Sequence, residues 1–318
     1  MKKLLSLFSL VLLLWGCRGD DDSIPPLVFD LNATGTVADQ TVEEAQKTIN
    51  GKWNVASSSS SSAKATVNCS FYGIEFTDDR YLLGIQITGT HEGESVDELV
   101  MAYGTYTLEE AADGTVSSVD LYERIDGTNQ RIARLTDIVV EESNNELTAD
   151  FTVQFTLPDD FEFPCGDLSG DYSADKAEPV NGAEDAGEES NFDLLVNTWS
   201  LSDYSNSEGG TLAQMLYEVS CFDHETDEEI PNCEAATSAE VSFSAYGSYI
   251  FTFENEAGEV LATMVDSWRF NNTEQTEILV DGDFVLSIES LTNVLLRVNS
   301  SDEGDGFTET WNFIRVSE

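Results

Sequence analysis

Basic residues are scarce in this chain. Lys and Arg number 14 against 61 Asp and Glu, a formal net charge of −47 over 318 residues. Binding to nucleic acid needs clustered cations to neutralise phosphates, so no nucleic-acid partner is expected, and anionic ligands are disfavoured on the same ground. Proline is scarce too, with 6 residues, while aromatics make up 10%. That combination excludes a collagen-like or a wholly disordered chain. Only one long apolar run exists, residues 4–15, so the chain is not a polytopic helical membrane protein. Histidine is nearly missing: His91 and His224 are the whole supply. No C-x-x-C pair, G-x-S-x-G elbow, phosphate loop or dinucleotide fingerprint occurs, so no catalytic residue, metal or cofactor is assigned. Asp167, Asp171 and Asp175 recur at a spacing of four, and Asp302, Glu303 and Asp305 form a tight acidic turn. Neither matches the calcium loop with its closing bidentate Glu.

So large a charge of one sign repels itself, and salt screens that repulsion over a Debye length of about 8 Å at 0.15 M. The melting temperature is therefore expected to rise between low and high NaCl. A melt that is flat or falls with salt contradicts this reading.

Residues 1–17 read MKKLLSLFSLVLLLWGC. Lys2 and Lys3 precede an apolar run too short to span a bilayer comfortably, and the run stops at Gly16-Cys17. Leu14, Gly16 and Cys17 resemble the lipobox of bacterial lipoproteins, with Trp15 where a small residue is usual. The resemblance implies that Cys17 is acylated and becomes the new N-terminus. Asp20, Asp21 and Asp22 follow at once, and this acidic cluster resembles the surface-export signal of lipoproteins in the Bacteroidota. That resemblance implies a protein on the outer membrane, facing the medium and held by its lipid. Residues 18–47 read as a polar tether with one short helical turn around 42–47.

With Cys17 lipidated, four cysteines remain, an even number that suits an oxidising compartment. Pairing within each half of the chain joins Cys221 to Cys233 and Cys69 to Cys165. The other pairings of the four stay open.

The chain carries an internal repeat. One copy opens INGKWNV around Trp53 and the other LVNTWSL around Trp199. Each tryptophan is followed by a serine-rich stretch and a cysteine, then by a strand–turn–strand signature at residues 74–83 or 241–251. Each copy then has an aromatic strand and ends in paired strands. Period-2 alternation runs throughout: Phe151, Val153 and Phe155 alternate with Thr152, Gln154 and Thr156, and Val241 and Phe243 with Ser242 and Ser244. Such alternation marks antiparallel sheet with one face buried and one wet. Asp-Gly turns at 113–114, 126–127, 281–282 and 305–306 separate the strands. A short helix is expected at residues 211–218. Residues 166–190, acidic and poor in large apolar side chains, read as a linker.

Gly51-x-Trp53 at the head of a strand-only domain resembles the first-strand motif of lipocalins, and Asn197-x-Trp199 is the same position without the glycine. The arrangement as a whole is similar to lipocalin-like lipoproteins of the Bacteroidota. The resemblance implies two tandem antiparallel up-and-down β-barrels, 48–165 and 191–318, each closed at one end by its tryptophan. It also implies an arginine late in the fold beside that tryptophan: Arg315 for Trp199, with no equivalent evident for Trp53.

Three functions are consistent with this chain. The first is a non-catalytic surface module that captures a small molecule or glycan in a barrel mouth. The second is a structural accessory protein with filled barrels. The third and weakest is a hydrolase using paired carboxylates, a reading that the abundance of acids makes unspecific. An eight-stranded barrel is just wide enough to be filled by its own side chains or to hold one small ligand.

Overall fold

The computed structural model describes residues 33–56, 67–77, 80–91, 94–125, 128–144, 146–156, 167–180, 190–223, 228–301 and 307–316. Its first half runs β1 (Gly35–Thr36), α1 (Val42–Ile49), β2 (Gly51–Val55), β3 (Val67–Thr77), β4 (Arg80–His91), β5 (Glu94–Glu110), β6 (Val116–Ile125), β7 (Thr128–Ser143), β8 (Glu146–Phe155) and β9 (Gly170–Lys176). The second half runs α2 (Asn191–Leu195), β10 (Thr198–Asn206), α3 (Leu212–Cys221), β11 (Phe222–Asp223), β12 (Glu228–Glu229), β13 (Ser238–Phe243), β14 (Ser248–Glu254), β15 (Val260–Phe270), β16 (Glu277–Val280), β17 (Phe284–Leu291), β18 (Leu295–Ser301) and β19 (Thr308–Arg315). Strands β2 to β9 pair in sequence order and β9 pairs back on β2, closing barrel one. Strands β10 and β13 to β19 close barrel two in the same way. Both are antiparallel, up-and-down and eight-stranded: the alternating pattern predicts the antiparallel pairing, and the lipocalin resemblance implies the two closed barrels.

Each barrel is entered through a helix with the same device. A capping box starts α1, with Thr41 and Glu44 exchanging hydrogen bonds, and another starts α2, with Ser190 and Asp193. The last carbonyl of each helix then accepts from the indole of the following strand: Trp53 Nε1 donates to Ile49 O at 2.7 Å and Trp199 Nε1 to Leu195 O at 3.0 Å. The tryptophans are 2% and 0% exposed, so they plug the floor beneath each helix. Arg315 lies directly opposite Trp199 in the β10–β19 register. Barrel one repeats this arrangement with a different cation. Lys176 of β9 lies opposite Trp53, and its Nζ sits 5.1 Å from the centre of the indole.

Three sequence boundaries need correction. The stretch 166–190 is not all linker. Residues 170–176 form β9, the strand that closes barrel one, with Leu168, Tyr172 and Ala174 buried. Its outward positions, Asp171, Ser173 and Asp175, supply the acidic composition that disguised it, and only residues 177–190 connect the barrels. The tether ends earlier than residue 47, because β1 pairs with β7, Val37 and Ala45 are buried, and α1 is a full helix from Val42 to Ile49. The expected helix at 211–218 is α3; Thr211 is its N-cap and it runs on to Cys221. Cys17 and Cys165 lie outside the described residues.

Cys221 and Cys233 are disulfide-bonded. Cys69 is disulfide-bonded as well.

On the outer wall of barrel one, Asp120 of β6 is buried beneath two arginines of β7. Arg134 grips it through Nε at 2.6 Å and Nη2 at 2.5 Å, and Arg131 Nη1 lies at 3.3 Å. Burial pushes this carboxyl up, but the two guanidiniums outweigh it and hold it below the usual range. A carboxyl whose folded value is depressed stabilises the fold above its unfolded value, near 3.9, and that stability is lost as pH falls through the folded value. Asp120→Asn is expected to cost about 1–3 kcal/mol at pH 7 and to flatten the acid limb of the stability curve. An unchanged acid limb in urea titrations at pH 2 to 5 contradicts this.

Candidate functional site

The interiors of the two barrels are filled differently. In barrel two, Trp268 is packed by Phe192, Phe243 and Phe270, while Phe251 meets Phe253, Trp311 and Phe313. Its polar groups largely satisfy each other. Tyr204 Oη donates to Glu309 Oε1 at 2.6 Å and Ser300 Oγ to Glu309 Oε2 at 2.9 Å, while Trp268 Nε1 donates to Ser244 O at 2.9 Å. Burial, then the bond to Glu309, push the Tyr204 phenol up to about 12. Among the described residues of this barrel, Trp311 Nε1 and Asn299 Oδ1 are buried without a partner.

Barrel one packs one part of its interior in a similar way. Phe71 meets Phe151, Phe155 and Tyr172 at ring separations of 5.1 to 6.3 Å, all three edge to face. Away from that cluster the wall opens. Strand β5 is 17 residues long, but only residues 105–110 pair with β6; residues 94–104 pair with β4 alone. The inner face of the unpaired length presents Val96, Val100 and Ala102, partly exposed and packed against the core.

Tyr81, Gly104 and Glu123 lie close together at the edge of this opening: Gly104 pairs with Tyr81, and the Glu123 charge acts on the Tyr81 phenol. Tyr81 follows the β3–β4 turn and shares the inner face of β4 with Leu83, Ile85 and Ile87. Gly104 lies opposite Tyr81 on β5. A side chain there has no room: a Cβ would fall 2.0 Å from Tyr122 O and 3.0 Å from the Tyr81 ring. Glu123 continues the inward series of Val119 and Leu121 on β6.

The Tyr81 side chain is 1% exposed, yet its hydroxyl has no hydrogen-bond partner. Burial, then the nearby Glu123 charge, push the phenol far up, so it stays a neutral donor. Burial also raises the half-buried Glu123 carboxyl above its usual range. A buried unpaired hydroxyl costs about 1–3 kcal/mol, so the fold carries an unmet donor beside a half-buried carboxyl here.

No protein-family model matches the chain, and no curated protein matches it either.

The residues singled out from sequence fall elsewhere. Trp53, Trp199 and Arg315 belong to the barrel floors, and Cys69, Cys221 and Cys233 to disulfides. His224 lies outside the described residues. Among the described residues, no group of three or more His, Cys, Asp or Glu is arranged to hold a metal. Asp171 and Asp175 point outward from β9, and Asp167 accepts from Ser169 N at 2.9 Å. A shallow groove of about 260 Å³ on this outer face is lined by Asp137, Asp150, Thr152, Asp171 and Ser173. Its hydroxyls are engaged within it, Thr152 to Asp171 and Ser173 to Asp150. The Tyr81–Glu123 pair was missed because its members are joined only across strands. The alternation of Tyr81 with Leu83 and Ile85, and of Glu123 with Leu121, is the signal that places both inside.

Proposed function

We propose that the protein is a non-catalytic, lipid-anchored surface module of the outer membrane. In this reading barrel one binds an uncharged, hydroxyl-bearing small molecule, and barrel two is a structural partner. The observation that carries the reading is the buried, unpartnered Tyr81 hydroxyl close to the Glu123 carboxyl. A ligand hydroxyl accepts from the phenol and donates to the carboxyl, while Val96, Val100 and Ala102 meet an apolar body. The overall charge and Glu123 disfavour anions. The aromatic filling of barrel two supports the structural role for that half. Cys17 carries the anchor; more than one acyl chain is needed for stable attachment.

Three probes of equal chain length test the site: 1-octanol, octanoate and octylammonium, each measured by calorimetry and thermal shift. Octanol binding is expected, weakened about tenfold by Tyr81→Phe or Glu123→Gln, the loss of one hydrogen bond of about 1.4 kcal/mol. Octanoate or octylammonium binding as well as octanol overturns the assignment, as does octanol affinity unchanged in both variants. Separately, Cys17→Ser is expected to move the protein from the membrane to the soluble fraction.

A further inference from the structure

Glu75 is an acid on the outside of barrel one that the molecule has nonetheless buried. Its neighbours on β3, Ile74 and Phe76, face the core, so Glu75 faces outward, yet it is 3% exposed. What covers it is the turn of barrel two between β13 and β14, residues 244–248. Ser248 Oγ donates to Glu75 Oε2 at 2.5 Å. Ser244 Oγ accepts the backbone N–H groups of Tyr246 at 3.2 Å and Ser248 at 3.0 Å, and its hydroxyl lies close enough to Glu75 to lower the carboxyl. Glu75 Oε1 is buried without a partner.

The turn cannot yield alone. Trp268 in the core of barrel two donates from Nε1 to Ser244 O, and Trp268 N donates to Gly247 O at 2.8 Å. Barrel one is shaped to receive it. Gly51, at φ +114°, lies under the Tyr246 phenol, where a Cβ would fall 2.6 Å from the hydroxyl oxygen. Val180 N, from the connecting segment, donates to Ala245 O at 2.9 Å.

We propose that Glu75 is a protonation-dependent clasp between the two barrels: uncharged, it seals the junction, and charged, it loosens it. A carboxylate in this place exchanges the water on one oxygen for the Ser248 hydroxyl and the water on the other for nothing, which a neutral acid tolerates and an anion does not. The groups facing it are Lys52, directly opposite on β2, the Tyr246 phenol, and Leu82, opposite on β4. Burial raises the Glu75 carboxyl, against the two serines and the Lys52 charge, which lower it. Burial also raises Tyr246, which stays neutral. A second acid, Glu240 on β13, sits near Arg80 of barrel one and Glu254; burial and Glu254 raise it while Arg80 lowers it.

The docked value of Glu75 lies above the undocked one. Docking is therefore strongest below the ordinary carboxylate value, about 4.3, and weakens as pH rises through the docked value. One proton changes the docked-to-undocked ratio by up to about tenfold per pH unit in that window.

Small-angle scattering of the full chain between pH 4.5 and 8.5 tests the clasp. The wild-type radius of gyration is expected to rise with pH. Glu75→Gln, isosteric and permanently neutral, is expected to stay compact at both ends, whereas Glu240→Gln keeps the wild-type response. Ser248→Ala, which removes the donor, is expected to loosen the junction already at pH 4.5. A wild-type radius that does not change with pH overturns the clasp, as does a Glu75→Gln protein that expands as the wild type does.

Discussion

Trp199→Ala is expected to cost barrel two about 3–5 kcal/mol, the usual range for removing a buried tryptophan. The side chain is fully buried, and its indole N–H is the group that satisfies the last carbonyl of α2. Alanine leaves both a cavity and an unbonded helix end. The lost free energy corresponds to a fall in the melting temperature of barrel two of roughly 10–20 °C. Barrel one has its own tryptophan, helix and cation, so its transition should stay in place; Trp53→Ala is expected to produce the converse pattern. Scanning calorimetry at pH 8 separates the two transitions. A Trp199→Ala protein that loses less than about 1 kcal/mol contradicts the floor-plug account.

Removing the Cys221–Cys233 bridge is the second large effect. The bond closes a loop with a sequence separation of 12. It ties the end of α3 to the excursion containing β11 and β12, and α3 in turn buries Met215 and Leu216 in barrel two. The loop-entropy relation puts the loss for a Cys221→Ala/Cys233→Ala variant at about 3 kcal/mol. The loss should be local: proteolysis should begin in the excursion while the β signal in circular dichroism persists. An excursion as resistant as the wild type, together with unchanged stability, contradicts this account of the bridge.

Strand alternation carried much of the fold. Phe151 and Val153, or Val241 and Phe243, announced their inner faces because large apolar and small polar residues alternate there without interruption. The repeat of Trp53 and Trp199 announced two barrels. Strand β9 was hidden because its inner residues include only one large side chain, Tyr172; the space beside it is filled from β3 and β8 by Phe71 and Phe151. With β9 hidden, Lys176 could not be recognised as the counterpart of Arg315. The candidate site was hidden for another reason. Tyr81 and Glu123 are ordinary members of their own strands, β4 and β6, and only the closure of the barrel makes them neighbours. Glu75 looks from its strand like any solvated acid, since nothing local records that the other barrel covers it.

Native mass spectrometry of the protein isolated from the membrane fraction of its cells tests the central claim most directly. The account predicts a chain beginning at an acylated Cys17 and carrying two disulfides. It also predicts an uncharged ligand adduct that disappears in the Tyr81→Phe/Glu123→Gln protein. An unadducted mass, or an adduct that survives in that double variant, contradicts the assignment of ligand capture to barrel one.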